Sequence, residues 1–153
     1  MLSKSIQLSK QLTISPQPTK SELDKLAKSG FKSVVNLCTK KELGQTMTPE
    51  EEGKFVQELG MEYMHFPISI ARLKLNQTAE FFESFNSLPK PVYIHCRIGQ
   101  RCVLFGLIIY ARKRGLNFDA TIDLSEKLGI ALEIPSMRSF IKQCLGESEA
   151  KAA

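Results

Sequence analysis

The chain has 153 residues, the length of one globular domain, and its 42% hydrophobic and 24% charged composition excludes an intrinsically disordered protein. Its longest apolar run, residues 103–111, is too short to span a membrane. The formal net charge of +5 suits an anionic ligand, but a merely solvated basic surface explains the scattered lysines and arginines equally well.

Strands and helices alternate along the predicted secondary structure. N-cap residues and glycines bound most of the helices: Thr19 and Glu22 form a capping box, for example, and Gly30 closes the helix that follows. Short β-branched and aromatic runs predict buried strands. In chain order we expect a strand over 11–14, a helix over 20–28, a strand over 32–37, a helix over 49–60, a strand over 61–66, a helix over 76–87, a strand over 92–95, a helix over 102–114, and helices from 117 and from 135 to 146.

This order predicts an α/β three-layer sandwich in which a mainly parallel sheet is flanked by helices. The helix that ends near Arg114 is apolar almost all round and should be the buried central one. Ligands of such sheets bind at the carboxyl ends of the strands, so the loops after Leu37, Phe66 and His95 should share one face. We expect a single domain over 1–146 and a disordered tail over 147–153.

A strand-to-helix turn at Cys96 contains the most informative residues of the chain. Its sequence is Val92-Tyr93-Ile94-His95-Cys96-Arg97-Ile98-Gly99-Gln100-Arg101-Cys102. The first turn of a helix leaves N–H groups unpaired, and with the helix dipole these groups form an anion site. We therefore predict that residues 97–102 bind phosphate, with Gly99 permitting a backbone conformation that a side chain would oppose.

A cysteine at the mouth of such a site should have a lowered pKa and act as a nucleophile, which makes Cys96 the predicted catalytic residue. Arg101 can place its planar guanidinium against two phosphate oxygens, and Arg97 adds positive potential. His95 should hydrogen-bond neighbouring backbone and hold the loop. A buried structural cysteine is the simpler alternative, but it leaves the two arginines and the glycine within five residues unexplained.

Several segments resemble a bacterial phosphatase family related to the beta-lactamase hydrolase-like proteins, a branch of the protein tyrosine and dual-specificity phosphatase superfamily. The resemblance runs over residues 12–128 and rests on a Gln-Pro turn at 14–18, a strand at 30–37, the segment 60–67 and the loop 96–101. It implies a tyrosine phosphatase-like fold and metal-independent phosphomonoester hydrolysis through a cysteinyl-phosphate. It also implies that no cofactor is needed and that the partner is a phosphorylated protein or small molecule.

Three departures from the superfamily pattern affect the expected chemistry. Four residues separate Cys96 from Arg101, whereas the superfamily has five. The shorter spacing resembles the pattern of this bacterial branch. Cys102 stands where a Ser or Thr usually binds the thiolate, and a thiol is a weaker donor. Residues 67–75 contain no Asp or Glu to act as general acid. The remaining candidates are Glu42, Glu80 and Glu83, the last two on a predicted helix and expected to face solvent.

The four cysteines, Cys38, Cys96, Cys102 and Cys144, show no CxxC spacing, which argues against a zinc site or a disulfide-stapled secreted domain. We expect a reducing, cytoplasmic location. Cys38 or Cys102 could trap an oxidised Cys96 as a disulfide, although core packing of both is the simpler reading.

Two other functions compete with a phosphatase. A rhodanese-type sulfurtransferase also has a loop that begins Cys-Arg after a strand, and it shares the Gly and the second Arg. A phosphate-binding pseudophosphatase would explain the missing acid and Cys102. Nucleic-acid binding is not expected, because the chain has no Trp and no interleaved basic and aromatic residues. We expect a monomer or a weak dimer.

Overall fold

A computed structural model describes residues 2–146, and the predicted tail at 147–153 lies outside the described residues. No helix in this part of the chain is long and apolar enough to cross a membrane. The elements are β1 (Ile6–Ser9), β2 (Leu12–Ser15), α1 (Lys20–Lys28), β3 (Ser33–Asn36), α2 (Pro49–Glu58), β4 (Glu62–His65), a 3₁₀ helix (Ile70–Arg72), α3 (Leu75–Ser87), β5 (Val92–His95), α4 (Gln100–Arg114), α5 (Phe118–Lys127) and α6 (Pro135–Cys144).

The sheet has five strands in the order β1-β2-β5-β3-β4. β5 lies in the centre, parallel to both β2 and β3, and β4 continues the parallel arrangement beside β3. β1 alone runs antiparallel, as a hairpin partner of β2. The predicted mainly parallel sheet is confirmed, whereas β1 was not predicted, because this half-exposed edge strand lacks a clear alternation of apolar and polar residues.

Helices cover both faces of the sheet and complete the predicted three layers. On one face α1 and α2 enclose a small core that includes Leu23, Val34 and Val56. On the other face a larger core surrounds α4, whose residues 102–109 are all buried. α4 approaches β2 so closely at Gly106 that an added Cβ would lie 2.5 Å from Cγ2 of Ile14. The central position predicted for this helix is therefore correct.

Two helix starts differ from the predictions. α4 begins at Gln100, so Gln100 and Arg101 belong to its first turn and not to the preceding loop. α3 begins at Leu75 because the Lys74 N–H donates to the side chain of Gln77 in a capping arrangement, and Asn76 lies inside the helix. The helices from Lys20 and from Pro135 begin where the capping residue and the proline predict.

The carboxyl ends of the parallel strands β3, β4 and β5 meet at one edge of the sheet, as predicted. Beyond the regular ladder, the Leu37 N–H donates to the His95 carbonyl at 2.9 Å. The Phe66 N–H likewise donates to the Asn36 carbonyl at 2.9 Å. The loops that follow these strands are thereby fixed around the start of α4.

Candidate active site

The turn between β5 and α4 wraps around the sulfur of Cys96. Cys96 immediately follows β5 and is fully buried, and the Gly99 N–H donates a hydrogen bond to its Sγ at 3.1 Å. Gly99 caps α4 with a φ of +98°, in the left-handed region where a side chain is unfavourable. The sulfur therefore lies at the N-terminus of a long buried helix, as the sequence predicts.

Several donors and charges favour the thiolate of Cys96 over the thiol. Hydrogen bonds from the Cys102 side chain and backbone, the charge of Arg101 and the N–H of Gly99 lower the pKa of Cys96 to about 6, although burial opposes this shift. A large fraction of Cys96 is therefore ionised at neutral pH, which is what a nucleophilic cysteine needs.

Cys102 lies on the first turn of α4, beside the same loop. Its Sγ is 3.2 Å from the carbonyl oxygens of both Ser15 and Gly99. Burial raises the pKa of Cys102 well above the ordinary value, and the neighbouring Cys96 sulfur adds to the effect. Cys102 therefore stays a protonated thiol, and its single proton can be donated either to one of these carbonyl oxygens or to the Cys96 sulfur.

Arg101 projects from the same helical turn toward the loop after β3. Its guanidinium makes a two-pronged ion pair with Glu42, in which Nη2 lies 2.8 Å from Oε2. Nη1 also donates to the carbonyl oxygens of Leu37 at 3.3 Å and Ile68 at 3.1 Å. The loops after β3 and β4 thus fix the orientation of this cation.

Glu42, one of the candidates for the general acid, reaches the active face. Its protonation state, however, does not suit that role. Although burial opposes it, hydrogen bonds from Arg101 and Thr39 lower the pKa of Glu42 to about 2. Its carboxylate is therefore ionised at neutral pH and has no proton to donate. Glu80 and Glu83 are exposed on α3, as expected from the sequence.

The other predicted loop residues border a cavity of about 420 Å³ above the turn. Arg97 is exposed, packs its side chain over Gly44, and accepts a hydrogen bond from the Gln17 N–H at its carbonyl. Both polar or charged residues and apolar residues line the cavity. The lining residues are Thr39, Glu42, Leu43, Ile68, Ser69, Ile70, Arg97, Ile98, Gln100 and Arg101.

Glu52 is a buried charged residue of the site that the sequence reading missed. It is fully buried on α2, and its Oε2 lies 2.7 Å from Nε2 of His95. A signal was present in the sequence, because Glu52 lies on the same helical stripe as the buried Pro49, Gly53 and Val56. An acid in the apolar stripe of an amphipathic helix indicates a buried partner.

The two remaining cysteines have thiols that stay protonated. Burial raises the pKa of Cys38 to about 12 and that of Cys144 to about 11. All four cysteines are free. Within residues 2–146 there is no cluster of three or more His, Cys, Asp or Glu side chains that could hold a metal ion.

Comparison with known proteins places these features in a family. The sequence pattern of the family described as "Beta-lactamase hydrolase-like protein, phosphatase-like domain" matches residues 6–112. The beta-lactamase hydrolase-like protein of Agrobacterium fabrum is 28% identical over 101 residues, which are 65% of this chain and 23% of that protein. This chain therefore spans about a quarter of the length of that curated relative.

Solved structures with a similar fold include three proteins of low sequence identity. A Shewanella putrefaciens CN-32 protein, provisionally described as a phosphatase (DUF442), has a TM-score of 0.75 at 23% identity, over 94% of this chain and 91% of that one. Tk-PTP in its active form has a TM-score of 0.74 at 24% identity, over 97% of this chain and 100% of that one. PTPMT1 in complex with PI(5)P has a TM-score of 0.70 at 17% identity, over 97% of this chain and 99% of that one. The predicted tyrosine phosphatase-like fold is thereby confirmed.

Proposed function

We propose that this chain, which belongs to the family of beta-lactamase hydrolase-like phosphatase domains, hydrolyses phosphomonoesters through a cysteinyl-phosphate on Cys96. The observation that supports this most strongly is the sulfur at the start of α4, which accepts the Gly99 N–H and has its pKa lowered to about 6. The proposal covers residues 2–146 acting as one domain on a phosphorylated protein or small molecule, without a metal.

In the first step the Cys96 thiolate attacks phosphorus, a P–S bond forms, and the P–O bond breaks so that the leaving oxygen departs as an alkoxide or aryloxide, which then takes a proton from water. In the second step water attacks the cysteinyl-phosphate, the P–S bond breaks, and phosphate and the thiolate are released. The N–H groups of residues 97–102 would bind the phosphoryl oxygens in both steps. Cys102 would stabilise the departing thiolate by donating its S–H.

Arg101 has the geometry to bind a phosphoryl group while it remains paired with Glu42. Glu42 occupies the guanidinium edge formed by Nη1 and Nη2. The other edge, formed by Nε and Nη2, would then face the phosphate oxygens as a second planar fork. Glu42 would fix this orientation before substrate arrives, so that less conformational entropy is lost on binding.

The ionised state of Glu42 limits the range of substrates. Proton donation to the leaving oxygen contributes about 10²–10⁴-fold to such reactions. Without a donor, alkyl phosphates, whose oxygen must leave as a strongly basic alkoxide, should lose about this factor in rate, whereas aryl phosphates, whose oxygen leaves as a weakly basic aryloxide, should lose much less. This preference is a kinetic property of the leaving group and does not identify the physiological substrate.

The same features support a second candidate, a rhodanese-type sulfurtransferase. The Cys96 thiolate would attack the outer sulfur of thiosulfate, forming a persulfide and releasing sulfite. Cyanide would then take that sulfur as thiocyanate and restore the thiolate. Neither leaving group needs a proton, so the ionised Glu42 and the lowered pKa of Cys96 favour this chemistry too.

Hydrolysis of para-nitrophenyl phosphate, measured in the presence of a metal chelator, tests the first proposal. We expect activity in the wild type and in Cys144→Ser, a control cysteine on α6, and none in Cys96→Ser. Thiosulfate-to-cyanide transfer by the same three proteins tests the second. Transfer without hydrolysis would replace the phosphatase by the sulfurtransferase, and phosphate binding without either reaction would indicate a pseudophosphatase.

A further inference from the structure

Another cavity lies at the end of α4 that is remote from Cys96. It has a volume of about 360 Å³ and lies between the turn that joins β1 to β2 and the last turns of α4. Because α4 has 15 residues, the two ends of this helix are about 20 Å apart. The cavity is therefore separate from the candidate active site at the start of the helix.

The floor of this cavity is apolar and recessed. Leu12, Phe85 and Ile109 line it, and each is only 2–3% exposed. A neighbouring cavity of about 240 Å³ shares Phe85 and Ile109, so the apolar floor continues beneath both. Side chains this deep cannot insert into a lipid bilayer, but they can contact the body of a small molecule that enters the cavity.

The rim of the cavity is formed by cations from two separate segments. Lys10 comes from the turn between β1 and β2, and Lys113 and Arg114 come from the last turn of α4. Arg112 lines the neighbouring cavity. No Asp or Glu among the described residues lines either cavity, and none of these four cations forms an ion pair within residues 2–146.

The dipole of α4 accounts for only part of this clustering. The carboxyl end of a helix carries about half a unit of negative charge, whereas three cations occupy the last turn of α4 and Lys10 adds a fourth. Their field extends to Lys90, whose pKa is lowered by burial and lowered further by the charge of Lys113. The positive charge at this end of the molecule therefore exceeds what the helix dipole balances.

The cations lie directly beside aromatic rings of the cavity. Nζ of Lys113 is 5.3 Å from the centre of the Phe85 ring, and Cζ of Arg114 is 5.0 Å from the centre of the Tyr110 ring. Phe85 and Tyr110 both line the cavity. A molecule that fills it therefore meets apolar surface and positive charge at the same time.

We propose that this cavity binds a small organic anion that carries two or more negative charges on an apolar body. The body displaces water from the apolar floor, and the charged groups pair with Lys10, Lys113 and Arg114 at the rim. An inorganic anion leaves the floor exposed to water, and an uncharged molecule leaves the cations without a partner. The site does not use Cys96 and is independent of the proposed function.

Naphthalene-1,5-disulfonate is a suitable probe, because it has two charges on an aromatic body and contains no phosphate ester. We would titrate it into the wild-type protein at low ionic strength and follow the backbone amides by NMR. We expect shifts at residues 9–12 and 109–114 that weaken as salt is added. Inorganic sulfate, which has the charge but no apolar body, should bind there at least about tenfold more weakly.

Two results of these titrations would overturn the proposal. Shifts confined to residues 96–101 would show that the probe binds only at the Cys96 loop. Equal affinity for sulfate and the disulfonate at residues 109–114 would show that the apolar floor has no part in binding. Neither result depends on whether the protein hydrolyses phosphomonoesters, so the proposed function and this site are tested separately.

A pair of double variants tests the rim. Lys10→Gln with Lys113→Gln removes two cations of the cavity, and Lys25→Gln with Lys127→Gln removes two exposed cations that do not line it. The first protein should bind the disulfonate at residues 109–114 about five- to tenfold more weakly. The second should bind it like the wild type. Equal weakening in both would show an effect of net charge alone, and no weakening in the first would show that these lysines do not bind the anion.

Discussion

The thiol of Cys102 is the largest cause of the lowered Cys96 pKa, so its removal should change that pKa measurably. Cys102→Ala deletes the donor and leaves the Gly99 N–H and the Arg101 charge in place. A hydrogen bond to a charged group contributes about 1.5–3 kcal/mol, which corresponds to about one to two pKa units. We therefore expect the pKa of Cys96 to rise from about 6 to about 7–8.

The assay is the pH dependence of alkylation by iodoacetamide, read as the mass of the peptide that contains Cys96. The other thiols hardly interfere: with a pKa of about 11, Cys144 is ionised to only about one part in 10⁵ at pH 6, where half of Cys96 is a thiolate. A thiolate whose thiol has a higher pKa is the stronger nucleophile. Cys96 should therefore be alkylated at pH 6 about 10²–10³-fold faster than Cys144, less than its larger ionised fraction alone would give. The alkylation curve therefore reports on Cys96.

Cys102→Ser is the matched control, because a hydroxyl restores a donor at the same position. We expect its midpoint to lie at or below the wild-type value, since a hydroxyl is the stronger donor. If Cys96 has the same alkylation midpoint in Cys102→Ala as in the wild type, the Cys102 thiol does not donate a hydrogen bond to Cys96. The acidity of Cys96 would then come from the helix N-terminus and Arg101 alone.

Two further predictions concern stability. Gly99→Ala and Gly30→Ala each place a side chain at positive φ, which costs about 1–2 kcal/mol of stability. At Gly99 the new Cβ would also lie 2.7 Å from Cγ of Leu2, whereas at Gly30 it would meet no atom within 4 Å. Urea unfolding should show an extra loss at Gly99 of at most about 1.5–3 kcal/mol, the cost of exposing Leu2, and equal losses would show that Leu2 does not pack there. The ion pair that lowers the pKa of Glu42 to about 2 should stabilise the fold above pH 4.5 and be lost as the pH falls through 2. Glu42→Gln should therefore remove about 1 kcal/mol of acid-dependent stability, with the exposed Glu80→Gln as control, and an unchanged acid profile would contradict this.

The features that could be predicted from the sequence depend on residues close together in the chain. The capping box at Thr19 sets the start of α1, and the strand, short turn and apolar helix around Cys96 indicate the anion-binding loop without any distant residue. Sequence spacing alone is enough for such features because the hydrogen bonds involved join neighbours.

The features that could not be predicted depend on contacts between distant segments. The sequence makes Glu42 a candidate general acid, but its pairing with Arg101, 59 positions away, decides that it is ionised. Glu52 meets His95 across 43 positions, and only the packing of α2 on the sheet brings them together. The edge strand β1 has little burial to mark it, so its pairing with β2 is clear only in the folded sheet.

The central position of β5 has a consequence for how the protein folds. β2 and β3 both precede residue 37 in the chain, yet they are joined in the sheet only through β5, which begins at Val92. During synthesis β2 and β3 therefore leave the ribosome well before β5, the strand that pairs with both of them. Until β5 is made, the edges of β2 and β3 that it will cover stay unpaired and exposed. Because Cys96 follows β5 directly, the proposed nucleophile reaches its place in the step that closes the sheet, and a reactive Cys96 would indicate that β5 has paired.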